Sequence, residues 1–196
     1  MKELNPEPIV ASLNGRDVDY VVIGMFAAGL ADRELPPTAD IDFTPSRTKA
    51  NLDRLSNALR DLDARIRVHG IDDGLPFAHN GASLASGGIW NLVCTYGEFD
   101  LSFVPSGTNG YDDLITNSER RVIGNELVPV ADLADVVRSK TAAGRPKDLA
   151  VLPLLADTLE SLADHPPAYV GLRPLAEHLG SHRSEYRPTR LLDPGH

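Results

Sequence analysis

The stretch Thr38-Ala39-Asp40-Ile41-Asp42-Phe43-Thr44 constrains this chain more than any other, because strand character and negative charge meet there. Ile41 and Phe43 alternate with Asp40 and Asp42, so an extended backbone sends both apolar side chains to one face and both carboxylates to the other. Like charges about 4 Å apart repel by about 4 kcal/mol at the effective dielectric of a protein surface. Folding alone does not favour that pairing. A divalent cation offsets it, and hard oxygen donors at this spacing suit Mg²⁺, which takes one or two carboxylates plus substrate phosphates. The alternative for an isolated Asp-x-Asp is a solvated strand face.

A second strand-like run sharpens the choice. Phe99, Leu101 and Phe103 alternate with Asp100 and Ser102, so Asp100 lies in a polar row backed by apolar residues. On a neighbouring strand it converges with Asp40 and Asp42, and three carboxylates on one face are harder to read as solvated surface than two.

The surrounding sequence reads as alternating strands and helices. Val18 to Ile23 is a buried strand that stops at Gly24, and Met25 to Ala31 is a short helix. A strand, a glycine and a helix N-terminus together present unpaired N–H groups to an anion, although a plain strand-to-helix turn has the same pattern. From Thr48, Leu52, Leu55, Leu59 and Leu62 recur at three- and four-residue spacing and predict an amphipathic helix. Ile66 to Val68 reads as a strand, Gly70 to Gly74 as a loop, and residues 77 to 88 carry no assignable pattern. Ile89 to Tyr96 and Phe99 to Val104 read as a hairpin joined at Gly97-Glu98.

Beyond Val104 the pattern predicts mostly helix. Val130 to Ala143 places Lys140 on a stripe with Leu133, Val136 and Val137, where a lysine either snorkels past the core edge or faces a ligand. Gly144 ends that helix, Pro146 opens the next, and Asp148 lies in its first turn, where the helix dipole alone stabilises a carboxylate. Leu149, Leu152, Leu155 and Leu159 form the buried stripe, Pro153 kinks it, and a short helix is expected around Pro174 to Leu179. The reading gives an α/β (α+β) mixed sheet flanked by helices over residues 1–107, then a mainly helical region with a Pro-rich tail over 108–196.

Composition narrows the function classes. With 42% apolar and 24% charged residues the chain is globular, and no apolar run approaches the roughly 18 residues of a membrane span. The N-terminus shows no secretory pattern, and Cys94, the sole cysteine, reads as a buried inert thiol, so a cytoplasmic setting is expected. A net charge of -9 argues against non-specific coating of nucleic acid. A local basic track remains available in Arg120, Arg121, Arg138, Lys140, Arg145 and Lys147, and in the tail at Arg183, Arg187 and Arg190.

The order strand, Gly24, helix, Asp40-x-Asp42, helix, then Asp100 on a later strand resembles the DNA polymerase beta-like nucleotidyltransferase superfamily over residues 18–104. The block Lys140-Thr141-Ala142-Ala143-Gly144-Arg145-Pro146-Lys147-Asp148-Leu149 resembles the lysine-to-Lys-Asp motif of its AbiEii/MenT branch, the nucleotidyltransferase toxins of bacterial toxin–antitoxin pairs. Met25 departs from the family pattern, which has Gly or Ser after the first glycine. The resemblance implies transfer of a nucleoside monophosphate from an NTP to an RNA hydroxyl, at the tRNA acceptor end, by a toxin held in check by a cognate antitoxin. It implies two Mg²⁺ ions, with Mn²⁺ as a substitute, on Asp40, Asp42 and Asp100. Asp100 would be the base, and Lys140 and Asp148 would complete the catalytic set. Gly24, Arg145 and Lys147 would bind the nucleotide, and Arg47 and Lys49, just after the acid strand, are further phosphate candidates with a solvated helix start as the alternative.

Thr38, two residues before Asp40 on the same strand face, is a candidate phosphorylation site, since a phosphate there adds about -1.5 to -2 charges beside the acids. Three other readings stay open on sequence: a non-catalytic antitoxin or binding module of the same fold, an aminoglycoside-type small-molecule nucleotidyltransferase, and a haloacid-dehalogenase-like phosphatase using Asp40-x-Asp42-x-Thr44.

Overall fold

The computed structural model describes residues 2–32 and 34–164. Eight strands form one mixed sheet in the order β4-β3-β5-β6-β2-β1-β8-β7. They are β1 (Tyr20–Ile23), β2 (Asp40–Pro45), β3 (Arg65–Val68), β4 (Ile71–Leu75), β5 (Ile89–Cys94), β6 (Gly97–Ser102), β7 (Glu119–Ile123) and β8 (Glu126–Val130). The helices are α1 (Pro6–Gly15), α2 (Gly24–Ala31), α3 (Lys49–Asp61), α4 (Gly81–Ser86), α5 (Tyr111–Asn117), α6 (Leu133–Ala143) and α7 (Pro146–Asp164).

Two parallel contacts set the centre of the sheet. β2 pairs with β6 so that Asp40 faces Glu98 and Asp42 faces Asp100, and β1 pairs with β8 through Val22 and Val130. All other pairings are antiparallel. Period-2 alternation then sorts the central strands: Ile41, Phe43, Phe99 and Leu101 are fully buried, while the aspartates between them stay partly accessible. Phe43 meets Tyr20 and Phe99 edge-on, at ring-centroid distances of 5.4 and 6.3 Å.

Leu52, Leu55 and Leu59 of α3 and Ile9, Val10 and Leu13 of α1 join this core, and the two helices touch. Thr48 caps α3 by accepting a hydrogen bond from the Asn51 amide, worth about 1 kcal/mol. The caps of α6 follow the same logic. Asp132 accepts from Ala134 N–H at its start, and Gly144 adopts φ 60° at its end.

Four segments differ from expectation. Gly70 to Gly74 is largely strand rather than loop, because Gly70 (φ 81°) turns the chain and β4 pairs back on β3 at the sheet edge, where exposed Asp72 and Asp73 are tolerated. Within residues 77–88, Asn80 and Ser83 form a reciprocal capping box that starts α4. The mostly helical region expected beyond Val104 contains the β7–β8 hairpin, which returns to the same sheet beside β1, and the helix expected from Val130 begins at Leu133. Residues 6–15, unassigned from sequence, form α1, whose Glu7 accepts from the Asn125 amide at the β7–β8 turn. The helix expected at Pro174 to Leu179 lies outside the described residues, as do Arg183, Arg187 and Arg190. No helix among the described residues is long and apolar enough to cross a membrane.

Candidate active site

Asp40, Asp42 and Asp100 each offer a carboxylate oxygen, and these oxygens lie within 4.8 Å of one another. The in-register parallel pairing of β2 and β6 brings them together. Burial first, and then the negative charges of Asp40 and Asp100, push the Asp42 carboxyl up to about 7 against the opposing charges of Lys140 and Lys147. Asp100 is also raised, by burial first, with the charge of Arg67 opposing it. A buried carboxyl crowded by two further acids, all three offering oxygen donors, fits a divalent cation in its chemistry and its donor set.

Gly24 sits against this cluster. Its φ is +73°, and a Cβ built there would overlap the Asp42 Oδ2 oxygen. Glycine is therefore required twice, for its backbone angle and for its missing side chain. Gly24→Ala is expected to destabilise the fold by on the order of 1–2 kcal/mol through the left-handed angle alone. It should also displace Asp42, giving a protein with native far-UV circular dichroism and a lowered melting temperature that no longer binds Mn²⁺ at the wild-type affinity.

The acids line a cavity of about 670 Å³ whose wall also includes Thr38, Met25, Lys140, Arg145, Lys147 and Asp148. Met25 stands at the start of α2 and lines the cavity. Lys140, near the end of α6, and Asp148, in the first turn of α7, face each other across the Gly144–Arg145 turn. Asp148 is fully buried. Its Oδ1 accepts from Lys140 Nζ at 3.2 Å and from Arg145 Nη2 at 3.3 Å, and its Oδ2 accepts from Arg145 Nε at 2.5 Å. Burial pushes the Asp148 carboxyl up, but the hydrogen bonds and charges of Arg145 and Lys140 outweigh it and hold it below the ordinary carboxylate range. Asp148 thus holds two cations that line the cavity, which the helix dipole alone does not explain.

Other expected residues fall elsewhere. Lys49 is exposed and pairs with Asp53 at 2.9 Å, one helical turn on. Arg47 donates to the Ala85 carbonyl and lies over the Phe103 ring, 5.2 Å from its centroid. Neither lines the cavity. The basic track also divides: Arg121 pairs with Glu119, and Arg138 with Asp113 and Asp135, so among its described residues only Lys140, Arg145 and Lys147 reach the cavity wall. Thr38 donates to Asp40 Oδ1 at 2.8 Å and so orients one of the acids.

Two residues at the site were not foreseen. Arg67 on β3 donates through Nη2 to both Asp100 oxygens, at 2.8 and 3.0 Å, and through Nη1 to Glu98 Oε2 at 2.5 Å. Glu98 is the register partner of Asp40 and makes a fourth carboxylate beside the three. Its place in the row Glu98, Asp100, Ser102 was readable from the β6 alternation. Arg67 depended on knowing that β3 lies next to β5.

No family model matches the chain. Among curated proteins, a component of the ATP-dependent helicase/nuclease of Lactobacillus helveticus (strain DPC 4571) is 30% identical over 144 residues, covering 71% of this chain. The chain spans 12% of that protein's length. Among solved structures, the lincosamide antibiotic adenylyltransferase LnuA superposes with a TM-score of 0.52 at 12% identity, over 80% of this chain and 99% of that one. The antibiotic-resistance factor ANT(2'')-Ia gives 0.49 at 15% identity, over 81% and 86%. The superposition on LnuA shows that the chain has a nucleotidyltransferase fold.

Proposed function

We propose that the protein transfers a nucleoside monophosphate from an NTP to a hydroxyl acceptor, releasing pyrophosphate. One observation carries this reading: three convergent carboxylates share a cavity with three cations, Lys140, Arg145 and Lys147. Asp40, Asp42 and Asp100 would hold Mg²⁺, which when bound supplies charge to the α-phosphate and to the attacking and leaving oxygens. The acceptor oxygen forms a bond to the α-phosphorus as the bond to pyrophosphate breaks, and its proton passes to Asp100. Lys140, Arg145 and Lys147 neutralise the charge that accumulates on the departing pyrophosphate.

For the acceptor we propose the terminal hydroxyl of an RNA, in keeping with the resemblance of the Lys140 to Asp148 block to the toxin branch. The protein would then arrest growth until its antitoxin partner acts. Phosphate on Thr38 would break its hydrogen bond to Asp40 and repel the NTP, which is one way such a partner could act. A small-molecule acceptor is the second reading. It is favoured by the β5 and β6 side of the cavity lining, where Ile89, Asn91, Ser102, Val104 and Pro105 present no cation to a phosphate backbone.

The test is to incubate the full chain with Mg²⁺ and each α-labelled NTP, first with total tRNA and then with a panel of hydroxyl-bearing small molecules. Label moving to tRNA supports the first reading, and label moving only to a small molecule supports the second. Labelled NTP that stays intact, or that yields free nucleoside monophosphate, would overturn both.

A further inference from the structure

Arg67 stands where the acids are densest. Its guanidinium forks between Glu98 and Asp100, and its Nη1 is 3.9 Å from Asp40 Oδ2. It touches two of the three convergent acids and the fourth carboxylate beside them, and it does not line the cavity. Its side chain is 26% exposed, so the charge is only partly screened by water. Four carboxylates, Asp40, Asp42, Glu98 and Asp100, crowd two adjacent strands, and Arg67 is the cation bonded to the β6 pair.

We propose that Arg67 is a resident counter-cation that stabilises the acidic cluster when no metal is bound and thereby weakens and tunes its affinity for divalent cations. The inference rests on the metal-binding reading of Asp40, Asp42 and Asp100. Coulombic physics requires the trade: a guanidinium close enough to relieve repulsion among carboxylates also repels the ion that would relieve it more fully. Both Asp100 oxygens are engaged by Nη2, so part of their acceptor capacity is already taken when an ion arrives. The guanidinium stays charged across the working pH range, so the competition persists throughout. A purely supporting Arg67, one that holds Asp100 in place as a ligand, predicts the opposite sign on its removal.

The experiment is Mn²⁺ binding to metal-stripped full-length protein without nucleotide, read as free Mn²⁺ by electron paramagnetic resonance, for wild type, Arg67→Gln and Arg67→Lys. Arg67→Gln is expected to bind at least tenfold more tightly. Its melting temperature should lie below wild type in EDTA, with the gap closing at saturating Mn²⁺. Arg67→Lys keeps the charge without the fork and should bind within about threefold of wild type. It also serves if the Gln variant does not fold. Unchanged or weaker binding by Arg67→Gln, or a tenfold loss in Arg67→Lys, would overturn the proposal while leaving the metal site standing. Wild-type protein that binds no Mn²⁺ at millimolar concentration would overturn both.

Discussion

Asp42→Asn is expected to cut nucleotidyl transfer by on the order of 10³-fold and, in EDTA at pH 8, to melt at a higher temperature than the wild type. The two effects share one cause. Asp42 is the acid whose carboxyl is pushed furthest, up to about 7 by burial and then by Asp40 and Asp100. The unfolded chain releases this proton near the ordinary carboxylate value, whereas the folded protein holds it until about pH 7. The native state therefore binds more protons than the unfolded state between those limits, and stability falls as pH rises through that window.

For a group shut off from water the penalty above pH 7 would be about 4 kcal/mol. Asp42 lines a water-accessible cavity, so about 2 kcal/mol is the expected gain from the Asn substitution at pH 8. At pH 4 the gain should vanish. Adding Mg²⁺ should reverse the order, because only the aspartate gains from a bound cation, and metal affinity should rise as pH climbs through 7 and the proton leaves. In activity the loss should be on the order of 10³-fold, since a group aimed at developing charge is removed. Melts at pH 4 and pH 8, with and without Mg²⁺, check each sign. A variant less stable than wild type in EDTA at pH 8 would mean that Asp42 is a satisfied carboxylate and not a strained one.

The acid cluster was legible because alternation is local. Four residues suffice to show that Asp40 and Asp42 face away from Ile41 and Phe43, and five suffice for Asp100. The pairing that joins them was not local: Asp42 lies beside Asp100 only because β2 and β6 pair in parallel across intervening strands and helices, and the alternation within each strand fixes the face of its acids but not its partner strand. Arg67 was hidden for the same reason, on a strand of four residues whose neighbour β5 is fixed by tertiary packing. The β7–β8 hairpin failed differently. Arg120, Arg121 and exposed Val122 lie on an edge strand, where charge is protective and alternation is blurred. Arg47 and Lys49 were placed at the site because they follow the acid strand in sequence. The buried Ser46 and the cap at Thr48 instead turn the chain into α3, away from the cavity.

Asp148→Asn is expected to be as damaging as the loss of the lysine it holds. The side chain is fully buried and makes charge-assisted hydrogen bonds to Lys140 and Arg145. Removing one member of a buried pair costs about 3–5 kcal/mol when the remaining charge stays buried. Arg145 is 60% exposed and can turn to water, whereas Lys140 is 14% exposed and cannot, so about 3 kcal/mol is expected at pH 7. The depressed carboxyl fixes the pH signature. Its contribution is fully present above the ordinary carboxylate value and is lost as pH falls below it, so wild type and Asp148→Asn should converge in stability under acid.

In transfer activity, Lys140→Met keeps most of the apolar stem but removes the cation, and a loss of on the order of 10²–10³-fold is expected. Because Asp148 acts by aiming Lys140, the Asp148→Asn, Lys140→Met double variant should be scarcely worse than Lys140→Met alone, as residues that work as a unit are non-additive. Single-turnover rates for the four proteins close the cycle. Losses that multiply would show that Asp148 meets the nucleotide by itself, and its place would then be among the groups that touch substrate.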